Sequence, residues 1–280
     1  MESNRRDFLI KAGLVSTGSL IPNLVMSSEK SNLSILNLSN KIKLGVITYS
    51  YRSLPGNLYS TIGYCLESGI NSIELMSNPV EKFLGIPKTR KLQRSWRENI
   101  SLDNFKKLRK LFDEAGISIY AYKPHSIGIN NTNKEIEKSI HAASILGAKS
   151  VTVEILDGII YKIQDKKKYN EYTQQLGDIG EKYNVYIGYH NHTQGTDTLW
   201  ENVLSQSAYN SINLDIGHYI ARGRGNTDKT LLKFIKNNHA RITSMHIKDR
   251  QNDINGGHNK PFGKGDTPIL EVIKLIDKKE

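Results

Sequence analysis

Cysteine is nearly missing from this chain: Cys65 is the only one in 280 residues. That count excludes both an intrachain disulfide and a cysteine-rich zinc site. Long apolar runs are missing too. The weakly hydrophobic stretch 12–26 is too short and too polar for a permanent membrane span. A hydrophobic content of 38% is ordinary for a globular chain and too low for a multispan membrane protein. No Gly-x-Gly-x-x-Gly follows the first strand-like run, which leaves through Tyr49, Ser50, Tyr51, Arg52 and Ser53. This argues against a dinucleotide-binding open sheet. Acidic residues are the minority charge, 28 against 39 basic ones, for a net +11. Such an excess suits nucleic-acid binding. The lysines, however, are spread along the chain and gather in helix-like stretches such as Lys106, Lys107, Lys110 and Lys166 to Lys168, the pattern of solvated helix faces. No nucleic-acid partner is expected.

The amino terminus stands apart. Arg5 and Arg6, followed by Phe8 and Leu9 and then the modest apolar stretch, resemble a twin-arginine export signal. No Ala-x-Ala cleavage site is visible, and no nearby cysteine offers a lipid anchor. Residues 1–30 are read as this signal segment, the Ser- and Asn-rich residues 31–40 as a linker, and 41–280 as one folded unit. The corresponding location is exported and periplasmic, or cytoplasmic if the leader does not function.

From Lys41 onward strand and helix patterns alternate. Strands are predicted near 42–49, 72–76, 117–122, 150–156, 185–192, 212–218 and 242–249. Helices are predicted near 59–68, 102–115, 135–146, 167–183, 199–205, 231–237 and 269–278. A long basic connection separates the second strand from the helix at 102. Ser68-Gly69-Ile70, Ala115-Gly116-Ile117 and Leu146-Gly147-Ala148 each read as a helix cap leading straight into a strand. The repeat predicts an α/β chain with about seven strand–helix units, close to the eight of a (β/α)8 barrel.

Three of these strands end in metal-ligand side chains. His190 and His192 close one, Asp215 and His218 the next, and His246 the third. Parallel α/β sheets and barrels place their chemistry at such carboxyl ends. His190 and His192 share one side of their strand, because side chains alternate. Imidazole with carboxylate suits Mn²⁺, Fe²⁺, Co²⁺ or Zn²⁺ better than Ca²⁺. Glu154 sits in an apolar run and needs a cation, a hydrogen-bond partner or a proton if buried. Glu74 holds a similar place on an earlier strand, with a weaker claim. His125 ends another strand and is expected to line the same mouth. His258, in the Gly-rich segment 256–265, is placed on a flexible loop with the look of an active-site lid. His141 and His239 are read as structural.

Asp215-Ile216-Gly217-His218, His246-Ile247-Lys248-Asp249 and Pro261-Phe262-Gly263-Lys264-Gly265, in this order, resemble the xylose isomerase-like TIM-barrel superfamily. That group includes sugar phosphate isomerases, ketose 3-epimerases, inosose dehydratase and apurinic endonucleases. The resemblance implies a divalent metal held by Glu, Asp, His and Glu from the last four barrel strands. Asp215 and His246 match two of these ligands. The first Glu is replaced by His190 or supplied by Glu154. The last belongs on an eighth strand, and Glu271 and Glu280 are poor substitutes for it. The chain is therefore expected to lack its eighth strand and helix, and to be poorly stable and weakly active as it stands.

The activity implied is isomerisation or epimerisation of a sugar or keto-sugar by proton abstraction beside a carbonyl, with Mn, Co, Zn, Fe or Mg as cofactor. Glu154, His192, His218 and Lys248 are the expected catalytic groups, and Glu74, His125, Arg250 and His258 the expected substrate contacts. An exported location favours a free sugar or glycoside over a phosphosugar. Alternatives are a keto-sugar dehydratase or lyase on the same site, an apurinic endonuclease and a non-catalytic barrel. The endonuclease reading lacks a His-Pro-Gly segment between His125 and Glu154. Association into a homo-oligomer is a further expectation.

Overall fold

Alternation with period two shapes the interior before any helix is considered. Ser72 and Glu74, Ser150, Thr152 and Glu154, and Ser211, Asn213 and Asp215 occupy every second position of their strands. Ile73 and Leu75, Val151 and Val153, and Ile212 and Leu214 fill the places between. A strand sends successive side chains to opposite faces, so one face must be apolar and the other polar. The computed structural model bears this out; it describes residues 42–154, 165–193 and 197–277, with side chains left undescribed at 197–199. The proposed leader and linker, Ile155 and Leu156, and Glu280 lie outside the described residues.

Seven parallel strands run in the order β1 to β7: Val46–Ile47, Ser72–Met76, Ser118–Lys123, Ser150–Glu154, Tyr186–His190, Asn210–Asp215 and Ile242–His246. Each neighbour in sequence is a neighbour in the sheet, the order of a (β/α) barrel. The intervening helices are α1 (Leu58–Glu67), α2 (Ser77–Phe83), α3 (Arg90–Asn99), α4 (Asp103–Glu114), α5 (Asn133–Ile145), α6 (Lys166–Tyr183), α7 (Asp197–Leu204), α8 (Ile216–Arg222) and α9 (Asp228–Asn238). Helix α10 (Ile269–Asp277) follows β7. Among the described residues β1 and β7 are not paired with each other or with an eighth strand, so the barrel is incompletely closed. The sheet nevertheless curls: Glu74 at β2 and His246 at β7 meet across the mouth at 2.7 Å.

The hydrophobic core lies between the outer face of the sheet and the helices. Ile73, Leu75, Val151, Ile187, Tyr189, Ile212 and Leu214 pack there with Phe112, Ile140, Leu176 and Trp200. Burying each such side chain contributes about 1.5–3 kcal/mol, which drives the helices onto the sheet. Asn57, Thr132 and Thr227 start α1, α5 and α9 with reciprocal capping boxes. Gly116 and Gly147 take φ of 71° and 76°, the left-handed conformation expected where a helix turns directly into a strand.

Three sequence expectations are corrected. The run 42–49 forms a strand only at Val46–Ile47, followed by a 3-10 turn, because it pairs on one side alone with β2. The basic connection after β2 contains α2 and α3. Helix α3 has no fully buried residue, and its apolar face is only Leu92 and Trp96, the latter packed against the core; Arg97 anchors it through a bidentate pair to Glu81 at 2.7 and 2.9 Å. His218 is not on a strand: β6 stops at Asp215, whose side chain caps α8 by accepting the His218 N–H at 2.7 Å.

Candidate metal centre at the strand ends

Register brings the donors together. Glu154 pairs across the sheet with His190, His190 with Asn213, and Asp215 with His246. The ligand atoms of His190, Asp215 and His246 consequently lie within 4.8 Å of one another, as do those of His190, His192 and His218. His190 and Asp215 are buried. Asn191 holds Asp215 in place twice, accepting its N–H at 2.8 Å and donating to its carbonyl at 3.0 Å.

Hydrogen bonds fix which ring nitrogens face the centre. Asn213 donates its amide N–H to Ser244 Oγ at 2.6 Å, which leaves its oxygen facing His190 Nδ1 at 2.7 Å. His190 therefore carries its proton on Nδ1, and Nε2 keeps a lone pair. The Glu74 carboxylate accepts only, so His246 must donate its Nε2–H across the 2.7 Å contact. In the neutral ring Nδ1 is then a lone pair, 3.8 Å from Asp215 Oδ2. Two acceptors facing each other at that spacing repel unless a cation lies between them. Carboxylate or amide partners behind the ligating histidines are the usual arrangement of a metal site.

Two further buried oxygens suit a cation. Among the described residues Glu74 Oε1 and Asp215 Oδ2 accept no aligned hydrogen bond, although the Thr152 side chain neighbours the first and the Lys248 ammonium stands 3.0 Å from the second. The mixed imidazole–carboxylate set fits a first-row divalent ion. His190, Asp215 and His246 would hold it, with Glu74 behind His246.

The sequence profile of xylose isomerase-like TIM barrels matches residues 62–280. The chain belongs to the xylose isomerase-like TIM-barrel family. Similar solved structures include the 3-keto-D-glucoside 4-epimerase YcjR from E. coli, at 15% identity and a TM-score of 0.60 over 85% of this chain and 89% of that one. A D-tagatose 3-epimerase-like protein matches at 18% identity and 0.59, over 85% and 87%. The IOLI protein with a binding zinc atom matches at 20% and 0.59, over 83% and 85%. At these identities the likeness is one of fold. No curated protein sequence matches the chain.

Around the centre of this xylose isomerase-like barrel stand two polar clusters. Lys123 forms a short ion pair with Glu154 Oε1, while Glu154 Oε2 lies 3.3 Å from His192 Nε2. Arg250 donates to His218 Nδ1 and to the Gly257 carbonyl, and Lys248 Nζ lies 3.0 Å from His218 Nε2. Glu154 is thus tied to Lys123 and His192, while His190 groups with Asp215 and His246. Glu74, the weaker candidate in sequence, is fully buried at the centre.

Among the described residues no hydrogen bond or ion pair joins His125 or His258 to the central donors, although Lys123 of the Glu154 cluster acts on His125. His125 donates its backbone N–H to Ser77 Oγ, and the charges acting on it include Glu81 and Arg97. His258 is exposed, and its carbonyl accepts from Gln251 N–H. The segment expected to be a flexible lid is instead anchored by Asp249. That buried carboxylate accepts the N–H groups of Lys264 at 3.1 Å and Gly265 at 2.9 Å. Asn213 and Asn191 were missed in the sequence, although Asn213 lies on the same alternating polar face as Asp215.

Burial pushes the histidines of the mouth down. His190 is held well below the ordinary imidazole value by burial and by the neighbouring His246 and Lys123. His192 is lowered by burial, partly offset by Glu154. His218 is pushed down to about 3 by burial, with Lys248 and Arg250 adding to the effect and Asp215 opposing it. For Glu74 burial works upward, but His246, the Thr152 hydroxyl and Lys123 together outweigh it and keep the carboxyl below its usual value. Unfolded histidines take up protons near pH ~6.5 while these folded ones stay neutral, so the unfolded state binds more protons. Stability of the chelator-treated protein is therefore expected to fall as pH drops below ~6.5, by up to about 1.4 kcal/mol per pH unit for each histidine. Urea midpoints measured across that range test this; a flat profile would contradict it.

Proposed function

We propose that this chain is a divalent-metal-dependent isomerase or epimerase of a sugar or keto-sugar, acting by proton abstraction next to a carbonyl. The observation that carries the reading is the convergence of His190, Asp215 and His246 at three consecutive strand ends, beside histidines that burial keeps neutral. A bound divalent cation would supply Lewis-acid polarisation of the carbonyl and stabilise charge developing on its oxygen.

The remaining work falls to side chains of the chain itself. Glu154 Oε2 lies 3.3 Å from His192 Nε2 and would orient the ring. A neutral imidazole oriented by a carboxylate is a competent general base, and His192 would take the proton from the carbon beside the carbonyl. Lys123 holds Glu154 in place through their ion pair. The hydrogen of His218 lies on Nε2, beside Lys248, because Arg250 occupies Nδ1; it would donate to a substrate hydroxyl. Returning the proton to the same or the neighbouring carbon, on the same or the opposite face, separates isomerisation from epimerisation. That choice depends on the substrate's pose. The keto-glycoside and ketose neighbours support these as the substrates to try first.

Exchange of the substrate α-proton in D₂O, followed by NMR across free ketoses and keto-glycosides, tests the reading. Metal-loaded protein should exchange, chelated protein should not, and His192→Gln should be slower by about 10²–10⁴-fold. Equal exchange in His192→Gln, or none with any metal and substrate, would overturn it.

A further inference from the structure

Lys248 occupies a place where the surrounding atoms call for a different cation. It lies two residues beyond β7, reaching its ammonium in from the mouth to within 3.0 Å of buried Asp215 Oδ2. Oδ2 is also the oxygen that faces His246 Nδ1 at 3.8 Å. The ammonium and a metal ion at His190, Asp215 and His246 would therefore compete for one oxygen atom.

The second neighbour of Lys248 is unfavourable. Arginine only donates hydrogen bonds, so the Arg250 contact requires a lone pair on His218 Nδ1. The neutral ring then carries its hydrogen on Nε2, and that N–H faces the Lys248 ammonium at 3.0 Å. Donor meets donor there. Asp215 is the one carboxylate paired with Lys248 among the described residues. The approach is imposed by the backbone: a Cβ on Gly217 would stand 2.5 Å from the Lys248 carbonyl and 3.0 Å from its Cβ. Only glycine at 217 lets α8 lie so close to the chain leaving β7.

We propose that Lys248 is a built-in stand-in for the metal. In the cation-free chain its ammonium neutralises Asp215, and divalent-metal binding displaces it towards the mouth. The inference rests on the metal centre described above and adds a competitor to it. Metal then binds more weakly than its donor set allows, and loading the site frees a positive side chain beside the substrate. The released ammonium, still next to Arg250, would draw an anionic substrate group or a developing oxyanion. Metal and anion binding are thereby coupled in the favourable sense.

The experiment is titration of the chelator-stripped full chain with Mn²⁺ and with Zn²⁺ by calorimetry, for wild type, Lys248→Met and Lys248→Arg. Circular dichroism spectra and melting temperatures accompany each titration. Removing a cation beside a carboxylate should tighten metal binding in Lys248→Met by about tenfold or more, while Lys248→Arg stays near wild type. The metal-free Lys248→Met protein should melt lower than wild type, and metal should raise its melting temperature by more. Equal or weaker metal binding in a folded Lys248→Met protein would overturn the competitor alone. Failure of every variant, wild type included, to bind either ion would overturn the metal centre and this inference together.

Discussion

Asp215→Asn is expected to lower divalent-cation affinity by about 100-fold or more while leaving the fold standing. Losing a partner behind a ligand already costs about 10–100-fold, and Asp215 is the charged ligand itself. The substitution separates two jobs done by one carboxylate. Oδ1 caps α8 through the His218 N–H, and an amide oxygen can do the same. Oδ2 supplies the charge, and an amide cannot. Asp215→Ala removes both functions and should lose about 1 kcal/mol of stability more than Asp215→Asn, the typical value of an N-cap. Calorimetric metal titration and urea unfolding read the two effects independently. Unchanged metal affinity in Asp215→Asn would place the cation elsewhere.

Glu74→Ala is expected to have the largest effect on stability in the absence of metal. Glu74 is fully buried and holds His246 through its Nε2–H. Without the carboxylate the half-buried imidazole keeps an unsatisfied donor, which costs about 1–3 kcal/mol. Glu74→Gln retains an oxygen able to accept the Nε2–H, so most of that stability should return. Charge behind the histidine is still lost, and metal affinity should fall by about 10–100-fold. Denaturant unfolding of the metal-free proteins, followed by metal titration of the glutamine variant, checks both parts. An alanine variant as stable as wild type would mean that the two side chains do not depend on each other.

The parallel architecture was legible because alternation and helical spacing occur in succession. Ser150-Val151-Thr152-Val153-Glu154 and Ser211-Ile212-Asn213-Leu214-Asp215 announce a strand with one polar face. Helix α3 was not read, since its apolar stripe is only Leu92 and Trp96 among polar and basic neighbours. At the site, His190, Asp215 and His246 could be named from sequence because each ends or nearly ends a strand. Glu74 was undervalued because its partner is remote in sequence and becomes adjacent only when the sheet curls. His218 was assigned to the wrong element because Asp215 ends the strand and caps a helix at one residue. The segment 256–265 read as a lid from its glycines, whereas the Asp249 hydrogen bonds that hold it are made to backbone and leave no sequence pattern.

The hydrogen bond between Glu74 and His246 joins residues 172 positions apart. Closing so large a loop has an entropic cost that local contacts cannot offset until the intervening strands are in register. Folding therefore reaches this bond late, after β3 to β6 have laid down the floor between the two rims. A competent cation site is then a report on the history of the chain. An ion held there with full affinity certifies that the whole succession of strands has assembled, and a partly folded molecule would present the same histidines without the means to bind it.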